Sequence, residues 1–186
     1  MILKKFFIQN KILRNRIAIS PMCQYSANKD GSPSCWHYNH LRKLIDVGAG
    51  MLVLESTAVS RDARITNKDL TLSSINNMNK FKDLLSKLKK KNSTLILIQL
   101  SHAGRKGSSY VPWDKKNTPL RNGKKWQTYS ASQIRKDKGW PTPKSLNISQ
   151  ISKIKRNFIK SVNLAVASGF DGVELHMAHG YLLHQF

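Results

Sequence analysis

The sequence of 186 residues predicts an α/β fold in which a parallel β-sheet is covered by α-helices. Short segments that are apolar on both faces alternate along the chain with segments whose apolar residues recur at helical spacing, a pattern typical of such a sheet. No G-x-G-x-x-G motif follows the first apolar segment, which disfavours a dinucleotide-binding sheet of the Rossmann type. We treat residues 1–186 as part of one domain.

A hairpin and a short strand are predicted at the start of the chain. Phe6-Phe-Ile8 and Lys11-Ile-Leu13 flank Gln9-Asn10, a sequence suited to a tight turn. Ile17-Ala-Ile-Ser20 is apolar enough for a short buried strand, which ends at Pro21 because proline has no N–H for a sheet ladder.

Three strands and three helices follow in alternation. The predicted strands are residues 51–54, 95–98 and 172–175. The predicted helices carry these apolar faces: Leu41, Leu44 and Ile45; Phe81, Leu84, Leu85 and Leu88; Ile151, Ile154, Phe158, Val162 and Ala165. Gly48 and Gly50 end the first helix, and Asn147 or Ser149 caps the start of the third.

A polar stretch without a clear period separates the third strand from the third helix. It runs over residues 101–147, which is far longer than an ordinary connection, and we therefore predict an active-site loop there. Trp113, Trp126 and Trp140 lie in this loop. They are suited either to cover a flat ligand or to anchor the loop.

Polar residues concentrate just past the C-terminal ends of the predicted strands. These clusters are residues 20–25, 55–58, 99–105 and 176–181. A (β/α)8 barrel builds its active site at this end of its strands, and a doubly wound sheet also binds ligands there. A closed barrel takes about 250 residues. Because we count only four strands, we expect this chain to be the first half of such a barrel.

The charge of the chain is strongly positive. Lys and Arg number 32 against 10 Asp and Glu, which gives a formal net charge of +22. Clustered basic residues bind nucleic acid by releasing counterions, but here they are spread along the chain, with residues 87–91 as the one dense cluster. We therefore interpret them as a solvated cationic surface and expect no specific nucleic-acid partner.

Other features concern the cellular compartment. No uncharged apolar run approaches the ~20 residues that span a bilayer, and residues 1–10 lack a small-residue cleavage site. Two cysteines cannot build a disulfide framework. We expect a cytoplasmic protein with no membrane partner.

His176 and His179 form the most informative candidate pair. Two imidazoles three residues apart, directly after a strand, can donate N–H groups to one developing oxyanion, ligate zinc, or serve only a structural purpose. Strict alternation along the strand puts Glu174 on the same face as His176, where it is a possible additional ligand.

Cys23 and Gln99 are candidates with several interpretations. Cys23 is suited to act as a nucleophile, as a thiol tuning a cofactor, or as an inert packing residue. It also forms a loosely spaced zinc set with Cys35, His37 and His40. Gln99 suits hydrogen bonding either to the edge of a planar heterocycle or to a loop backbone.

An ordered set of motifs resembles the old yellow enzyme family of NADH:flavin oxidoreductases, most closely its xenobiotic-reductase-like bacterial branch. The motifs are Asn15-Arg-Ile-Ala-Ile-Ser-Pro-Met-Cys-Gln-Tyr25, Glu55-Ser-Thr-Ala-Val59, Arg64-Ile65, Ile98-Gln-Leu-Ser-His-Ala-Gly-Arg-Lys106 and Gly169-Phe-Asp-Gly-Val-Glu-Leu-His-Met-Ala-His-Gly-Tyr-Leu-Leu-His-Gln-Phe186. Pro112-Trp113 and Gly139-Trp-Pro141 also resemble this branch. Cys23-Gln-Tyr25 and Pro112-Trp113 favour its stand-alone enzymes over the larger dienoyl-CoA reductase and amine dehydrogenase relatives.

The resemblance implies a (β/α)8 TIM barrel, of which this chain supplies an N-terminal hairpin and roughly the first four β/α units. It also implies FMN as cofactor, with NADPH or NADH as reductant. The residues implied to line the flavin ring are Ser20, Pro21, Met22, Cys23, Ala58 and Gln99. His176 and His179 would hydrogen-bond the substrate carbonyl, Tyr25 would help to bind substrate, and Tyr181 would donate a proton. No metal is required in this interpretation.

The implied activity is that of an ene reductase, which passes hydride from NAD(P)H through FMN to the C=C bond of an α,β-unsaturated carbonyl compound. The implied partner is a small-molecule enone, and we expect the full-length protein to be a homo-oligomer. The phosphate site of such barrels follows strands seven and eight, so we expect a fragment with exposed sheet edges that aggregates or dimerises. The alternative is an inactive basic half-barrel that acts as a binding protein.

Overall fold

The computed structural model describes residues 1–90, 92–115, 118–121 and 123–186. The strands are β1 (Phe6–Ile8), β2 (Lys11–Leu13), β3 (Ala18–Ile19), β4 (Met51–Ala58), β5 (Leu95–Ser101), β6 (Tyr129–Ser130), β7 (Lys144–Ser145) and β8 (Gly172–Leu175). The helices are α1 (Cys35–Asp46), α2 (Ile75–Lys89), α3 (Pro112–Lys115) and α4 (Ile148–Ser168). Short 3-10 turns cover Arg61–Ala63, Gly104–Lys106 and Leu182–Gln185.

The main sheet has four parallel strands in the order β3-β4-β5-β8. Met51 pairs with Ala18 on one side and with Leu95 on the other, and Leu97 pairs with Gly172. Each strand therefore lies beside the next one along the chain, as in a barrel. The predicted parallel α/β sheet is confirmed.

Helices α1, α2 and α4 pack against the sheet and enclose the core. Phe81 of α2 is fully buried and contacts the Phe170 ring at 5.7 Å. Asn147 caps α4 by accepting the N–H of Gln150, and Gly169 ends it in the left-handed conformation at φ +93°. The core side chains are drawn mainly from β4, β5, α1 and α2: Leu41, Ile45, Leu52, Leu54, Phe81, Leu84, Leu85, Leu88, Ile96, Ile98 and Leu100.

The hairpin β1–β2 forms as predicted, with Gln9 at a positive φ in its turn. The prediction of a buried strand over residues 17–20 is wrong in one respect, because the strand forms but is not buried. Ile17 and Ala18 are exposed, since β3 lies at the edge of the main sheet and, among the strands described, pairs with β4 alone. At the opposite edge, Leu175 of β8 is 48% exposed.

Two strands are longer than predicted, which corrects the position of two polar clusters. Residues 55–58 lie inside β4 and residues 99–101 lie inside β5, rather than past the strand ends. Pairing continues through Thr57 with Leu100 and through Ala58 with Ser101 after a bulge in β4. Polar composition ended the predicted strands early, whereas backbone pairing continues regardless of side-chain polarity.

Loop 101–147 contains more order than its composition suggested. Strands β6 and β7 form a separate parallel pair, with Tyr129 opposite Lys144. Positions 116, 117 and 122 of this loop, and Lys91 of the basic cluster 87–91, lie outside the described residues. Within the described part of the chain, no helix is both long enough and apolar enough to cross a membrane.

Candidate active site

Two chain segments meet at the carboxyl edge of the main sheet. The first segment, residues 20–26, follows β3, and the second segment, residues 176–186, follows β8. Between them, β4 and β5 contribute residues from the middle of the sheet. Carboxyl ends of parallel strands gather at one edge, so four elements distant in sequence supply one site.

Cys23 and Tyr25 of the first segment contact one another. The sulfur of Cys23 interacts with the Tyr25 hydroxyl and the Ser56 N–H. Burial, followed by the charges of Asp69 and Glu55, raises the pKa of Cys23 to about 12. A thiol that stays protonated at neutral pH is a poor nucleophile, which leaves cofactor tuning or packing as the physical alternatives.

Tyr25 is held in an unusual backbone conformation. Its φ is +49°, a region that few residues other than glycine adopt. Its ring contacts Trp113 edge to face at 5.5 Å. The other loop tryptophans make different contacts: Trp126 donates to the Asp62 carbonyl, and Trp140 lies beneath the Lys136 ammonium. Of the three, Trp113 contacts the first segment.

His176 and His179 of the second segment face each other. Their ring centroids are 5.1 Å apart, and His176 Nε2 lies 3.4 Å from His179 Nδ1. Burial, then the charge of His179, lowers the pKa of His176 and so favours its neutral form. Because His176 Nδ1 accepts the Ala178 N–H at 3.3 Å, the proton of the neutral ring lies on Nε2. The Tyr181 ring packs edge to face on His176 at 4.8 Å.

Lys106 is a site residue that the sequence reasoning missed. Its ammonium donates to the His179 carbonyl and lies 5.3 Å from the centre of the Tyr181 ring. The signal was present, because Lys106 is the last residue of the motif at residues 98–106 that carried part of the family resemblance. The turn Gly104–Lys106 brings the Lys106 side chain to the second segment, which the sequence alone does not show.

The tyrosines show that the two segments share one environment. Burial raises the pKa of Tyr181, and the charges of Cys23 and Asp69 add to the rise. Burial likewise raises the pKa of Tyr25, with further contributions from Cys23, Asp69 and Tyr181. Both phenols therefore remain protonated at neutral pH, and the structure brings these predicted residues together.

The predicted flavin-lining residues occupy different depths. Gln99 is buried and donates its amide to Glu174 at 2.6 Å across the paired strands β5 and β8. Ala58 is also buried, and its N–H bonds the Leu70 carbonyl. The remaining members of the set lie in the first segment: Ser20 and Met22 are exposed, while Pro21 and Cys23 are half-buried.

The zinc alternatives are not supported by the structure. Cys35 is exposed on α1, whereas His37 is buried against the Glu55 carboxylate. Across residues 1–90, 92–115, 118–121 and 123–186, no group of three or more His, Cys, Asp or Glu side chains is placed to hold a metal ion. The set Cys23, Cys35, His37 and His40 is therefore wrong as a ligand group.

A comparison with known families accounts for this arrangement. A family model described as NADH:flavin oxidoreductase / NADH oxidase matches residues 2–186. The chain belongs to this family. The expected flavoenzyme relationship is thereby confirmed, and FMN with a nicotinamide reductant is the cofactor set of the family.

Individual relatives agree with the family assignment. The chain is 39% identical to an NADH:flavin oxidoreductase of Gibberella zeae over 92% of its own length and 42% of the relative's. It is 33% identical to an NADPH dehydrogenase of Clostridium acetobutylicum over 100% of its length and 50% of the relative's. The chain thus spans about half the length of the curated relatives it matches.

Solved structures of family members confirm the partial-barrel fold. The old yellow enzyme from Trypanosoma cruzi matches with a TM-score of 0.80 at 26% identity, covering 98% of this chain and 52% of that one. The old yellow enzyme from Pichia sp. AKU4542 matches with a TM-score of 0.84 at 18% identity, covering 98% of this chain and 47% of that one. The second likeness shows the fold alone.

Proposed function

We propose that the site belongs to an FMN-dependent ene reductase that reduces the C=C bond of α,β-unsaturated carbonyl compounds. The observation that carries the proposal is the meeting of two imidazoles and a protonated phenol, from His176, His179 and Tyr181, beside Cys23 and Tyr25. Oxyanion donors and a proton donor are the protein groups that this reaction needs beside a hydride source.

The buried groups fit a planar, polar cofactor. The Gln99 amide oxygen makes no hydrogen bond to the described residues, so it is free to accept an N–H from a heterocycle edge. Ala58, the last residue of β4, and Cys23 carry small side chains. These residues, with Ser20, Pro21 and Met22, would hold the flavin ring. When bound, FMN supplies the hydride chemistry, taking hydride from NADPH or NADH and delivering it to the β-carbon of the enone.

His176 and His179 are proposed to bind the carbonyl oxygen of the substrate. As hydride arrives at the β-carbon, negative charge develops on that oxygen, and N–H donors stabilise it more strongly in the transition state than in the ground state. In the neutral form of His176 the proton lies on Nε2, which is the donor proposed to exchange its contact with His179 Nδ1 for the substrate oxygen.

Tyr181 is proposed to deliver the proton to the α-carbon. Its raised pKa keeps the phenol protonated at neutral pH, and the Lys106 ammonium near its ring stabilises the phenolate left after transfer. Tyr25, in the first segment, is proposed to orient the substrate.

The experiment is anaerobic reduction of 2-cyclohexenone by the FMN-supplemented protein with NADPH, with cyclohexanone quantified. Tyr181→Phe should reduce the rate by about 10²-fold, which is within the ordinary contribution of a general acid. Tyr38→Phe on α1 is the matched control and should retain the rate. Undiminished alkene reduction by Tyr181→Phe contradicts the proton-donor role.

The same protein preparation also distinguishes the enzyme from the alternative, an inactive binding protein. The alternative predicts no bleaching of added FMN by NADPH and salt-sensitive retention on DNA, because the net charge of +22 favours polyanions. The enzyme proposal predicts the reverse. The homo-oligomeric state of the full-length protein stays a prediction.

A further inference from the structure

The first segment is held by a closed circuit of contacts through the buried side chains of Glu55 and His37 and the half-buried side chain of Ser34. The Glu55 carboxylate accepts the Gln24 N–H through Oε2 at 2.8 Å, and its Oε1 lies 3.1 Å from His37 Nε2. Ser34 then links His37 back to the first segment, because its hydroxyl donates to the Ser26 carbonyl at 2.8 Å. Glu55 is 5% exposed and His37 is 1% exposed, so water competes little for these contacts.

The hydrogen-bond directions in the circuit are mutually consistent. The Ser34 N–H donates to His37 Nδ1 at 3.0 Å. With Nδ1 acting as acceptor, the ring proton of His37 lies on Nε2, the nitrogen that faces Glu55. The Nε2 and carboxylate atoms are within ion-pair distance, although the N–H is not aligned as a hydrogen bond. The carboxylate therefore faces two donors, one from the first segment and one from α1.

The two points of attachment flank Tyr25. Gln24 is held by its N–H and Ser26 by its carbonyl, so both peptide neighbours of Tyr25 are fixed. Ser26 adds a hydroxyl bond to the Gln24 carbonyl at 2.9 Å. A non-glycine residue at φ +49° persists only where its surroundings over-determine the backbone, and this circuit supplies that constraint.

A bulge in β4 accompanies this arrangement. Pairing with β5 shifts by one residue between Leu54 and Thr57, so Glu55 and Ser56 lie outside the regular ladder. Glu55 is thereby bonded to Gln24, while the Ser56 N–H contacts the sulfur of Cys23. One irregularity in the sheet thus serves two consecutive contacts to the first segment.

We propose that Glu55, His37 and Ser34 are positioning residues that hold Tyr25 in its left-handed conformation and so present Tyr25 and Cys23 to the site. The contribution to catalysis rests on the proposed function, whereas the conformational claim does not. Loss of the circuit frees the first segment while the second segment, which contacts none of its three members in the structure described, keeps its order.

The test is hydrogen–deuterium exchange of the full chain, read on peptides covering residues 20–27 and 176–186. Glu55→Ala should speed exchange in residues 20–27 by about tenfold or more, because the Gln24 N–H loses its buried acceptor. Ser34→Ala should do so by a smaller factor, and Ser34→Thr, which keeps the hydroxyl, should restore slow exchange. Asp46→Ala on α1 and Ser86→Ala on α2 are matched controls that remove an exposed carboxylate and an exposed hydroxyl.

A second readout uses the thiol of Cys23 in a Cys35→Ser background. Glu55→Ala should raise its alkylation rate, since the charge of Glu55 and the fixed segment both suppress the thiolate. If Glu55→Ala does not fold, Ser34→Ala decides the question alone. Wild-type exchange in residues 20–27 of a folded Ser34→Ala chain overturns the proposal, as does equal acceleration in both peptides.

The proposed contribution to catalysis is measured separately, by enzyme kinetics. In the enone assay, Ser34→Ala should raise KM for the enone more than it lowers kcat, because a displaced Tyr25 weakens substrate orientation. If every variant and the wild type lack enone reduction, the proposed function fails while the exchange result still decides the conformational claim.

Discussion

The two segments of the site are held in place by different means. The first segment is attached to the middle of the sheet through buried charged and polar side chains of β4 and α1. The second segment is attached largely through backbone groups to β5 and the residues just after it: His176 donates its N–H to the Leu100 carbonyl and Leu182 donates its N–H to the His102 carbonyl, each at 2.9 Å.

Their surroundings differ as well. The second segment follows the edge strand β8 and borders an apolar groove of about 440 Å³. Met177 and Phe186 beside this groove are 63% and 69% exposed. The first segment is therefore preorganised by this chain's own core, whereas the second combines the proposed oxyanion donors with the less enclosed setting. The groups proposed to bind substrate are thus divided between a segment held by buried side chains and a segment beside an exposed apolar groove.

The largest expected effect follows from removing the proposed oxyanion donors of the second segment. His176→Ala and His179→Ala should each lower the rate of enone reduction by about 10²–10³-fold, the usual consequence of losing one such donor. His40→Gln on α1 is the control and should retain the rate. Wild-type rates in both alanine variants would remove the second segment from the proposed mechanism.

Acid should act on the attachment of the second segment through His102. Burial lowers the pKa of His102 from 6.5 to about 4, so the folded chain binds this proton less readily than the unfolded chain. The stability that results is fully present above pH 6.5 and is lost as the pH falls toward 4. One pKa unit corresponds to ~1.4 kcal/mol, so the loss between pH 7 and 4.5 is about 2–3 kcal/mol.

The measurement is urea unfolding of wild type and His102→Gln at pH 7 and pH 4.5. The free-energy difference between the two proteins should shift in favour of the variant by about 2–3 kcal/mol on acidification. Asp69, whose pKa burial raises to about 6, acts in the opposite direction but is present in both proteins and cancels in the difference. An unchanged difference would exclude His102 as the acid-sensitive group.

The smallest effect concerns the packing of Gly104 on Gln185. Gly104 has φ +59°, and a Cβ there would lie 2.5 Å from the Gln185 amide nitrogen. Gly104→Ala should cost about 1–2 kcal/mol in backbone strain and also displace the Gln185 amide from the Gly180 carbonyl to which it donates. Gly139→Ala isolates the strain, since Gly139 has φ +81° and open space around its would-be Cβ.

Hydrogen exchange separates the two glycine variants. We expect faster exchange in residues 176–186 of Gly104→Ala and no such change in Gly139→Ala. Faster exchange in the first segment of Gly104→Ala as well would indicate that the two segments are coupled rather than held independently.

Local patterns predicted most of the fold. The bounds of β8, the Asn147 cap and the four-strand order follow from apolar runs, capping chemistry and chain order, all of which are written locally. The extension of β4 and its bulge cannot be predicted from local patterns, because a shift in register depends on the partner strand.

The site was predicted only in part. The residues of the second segment were visible because His176, His179 and Tyr181 lie close together in sequence. The circuit of Glu55, His37 and Ser34 could not be seen in the sequence, because Glu55 is 31 residues from its partner Gln24. His37 was visible in the sequence as a histidine at the start of an amphipathic helix. In the structure its partner is the Glu55 carboxylate rather than zinc.

The most direct test of the central claim is an imidazole ¹H–¹⁵N NMR titration of the FMN-supplemented protein with 4-nitrophenolate. The phenolate oxygen mimics the enolate oxygen that His176 and His179 are proposed to stabilise. We expect the resonances of His176 and His179 to shift together and to saturate, while that of His40 stays in place. Saturable phenolate binding that leaves both resonances unmoved would contradict their proposed role.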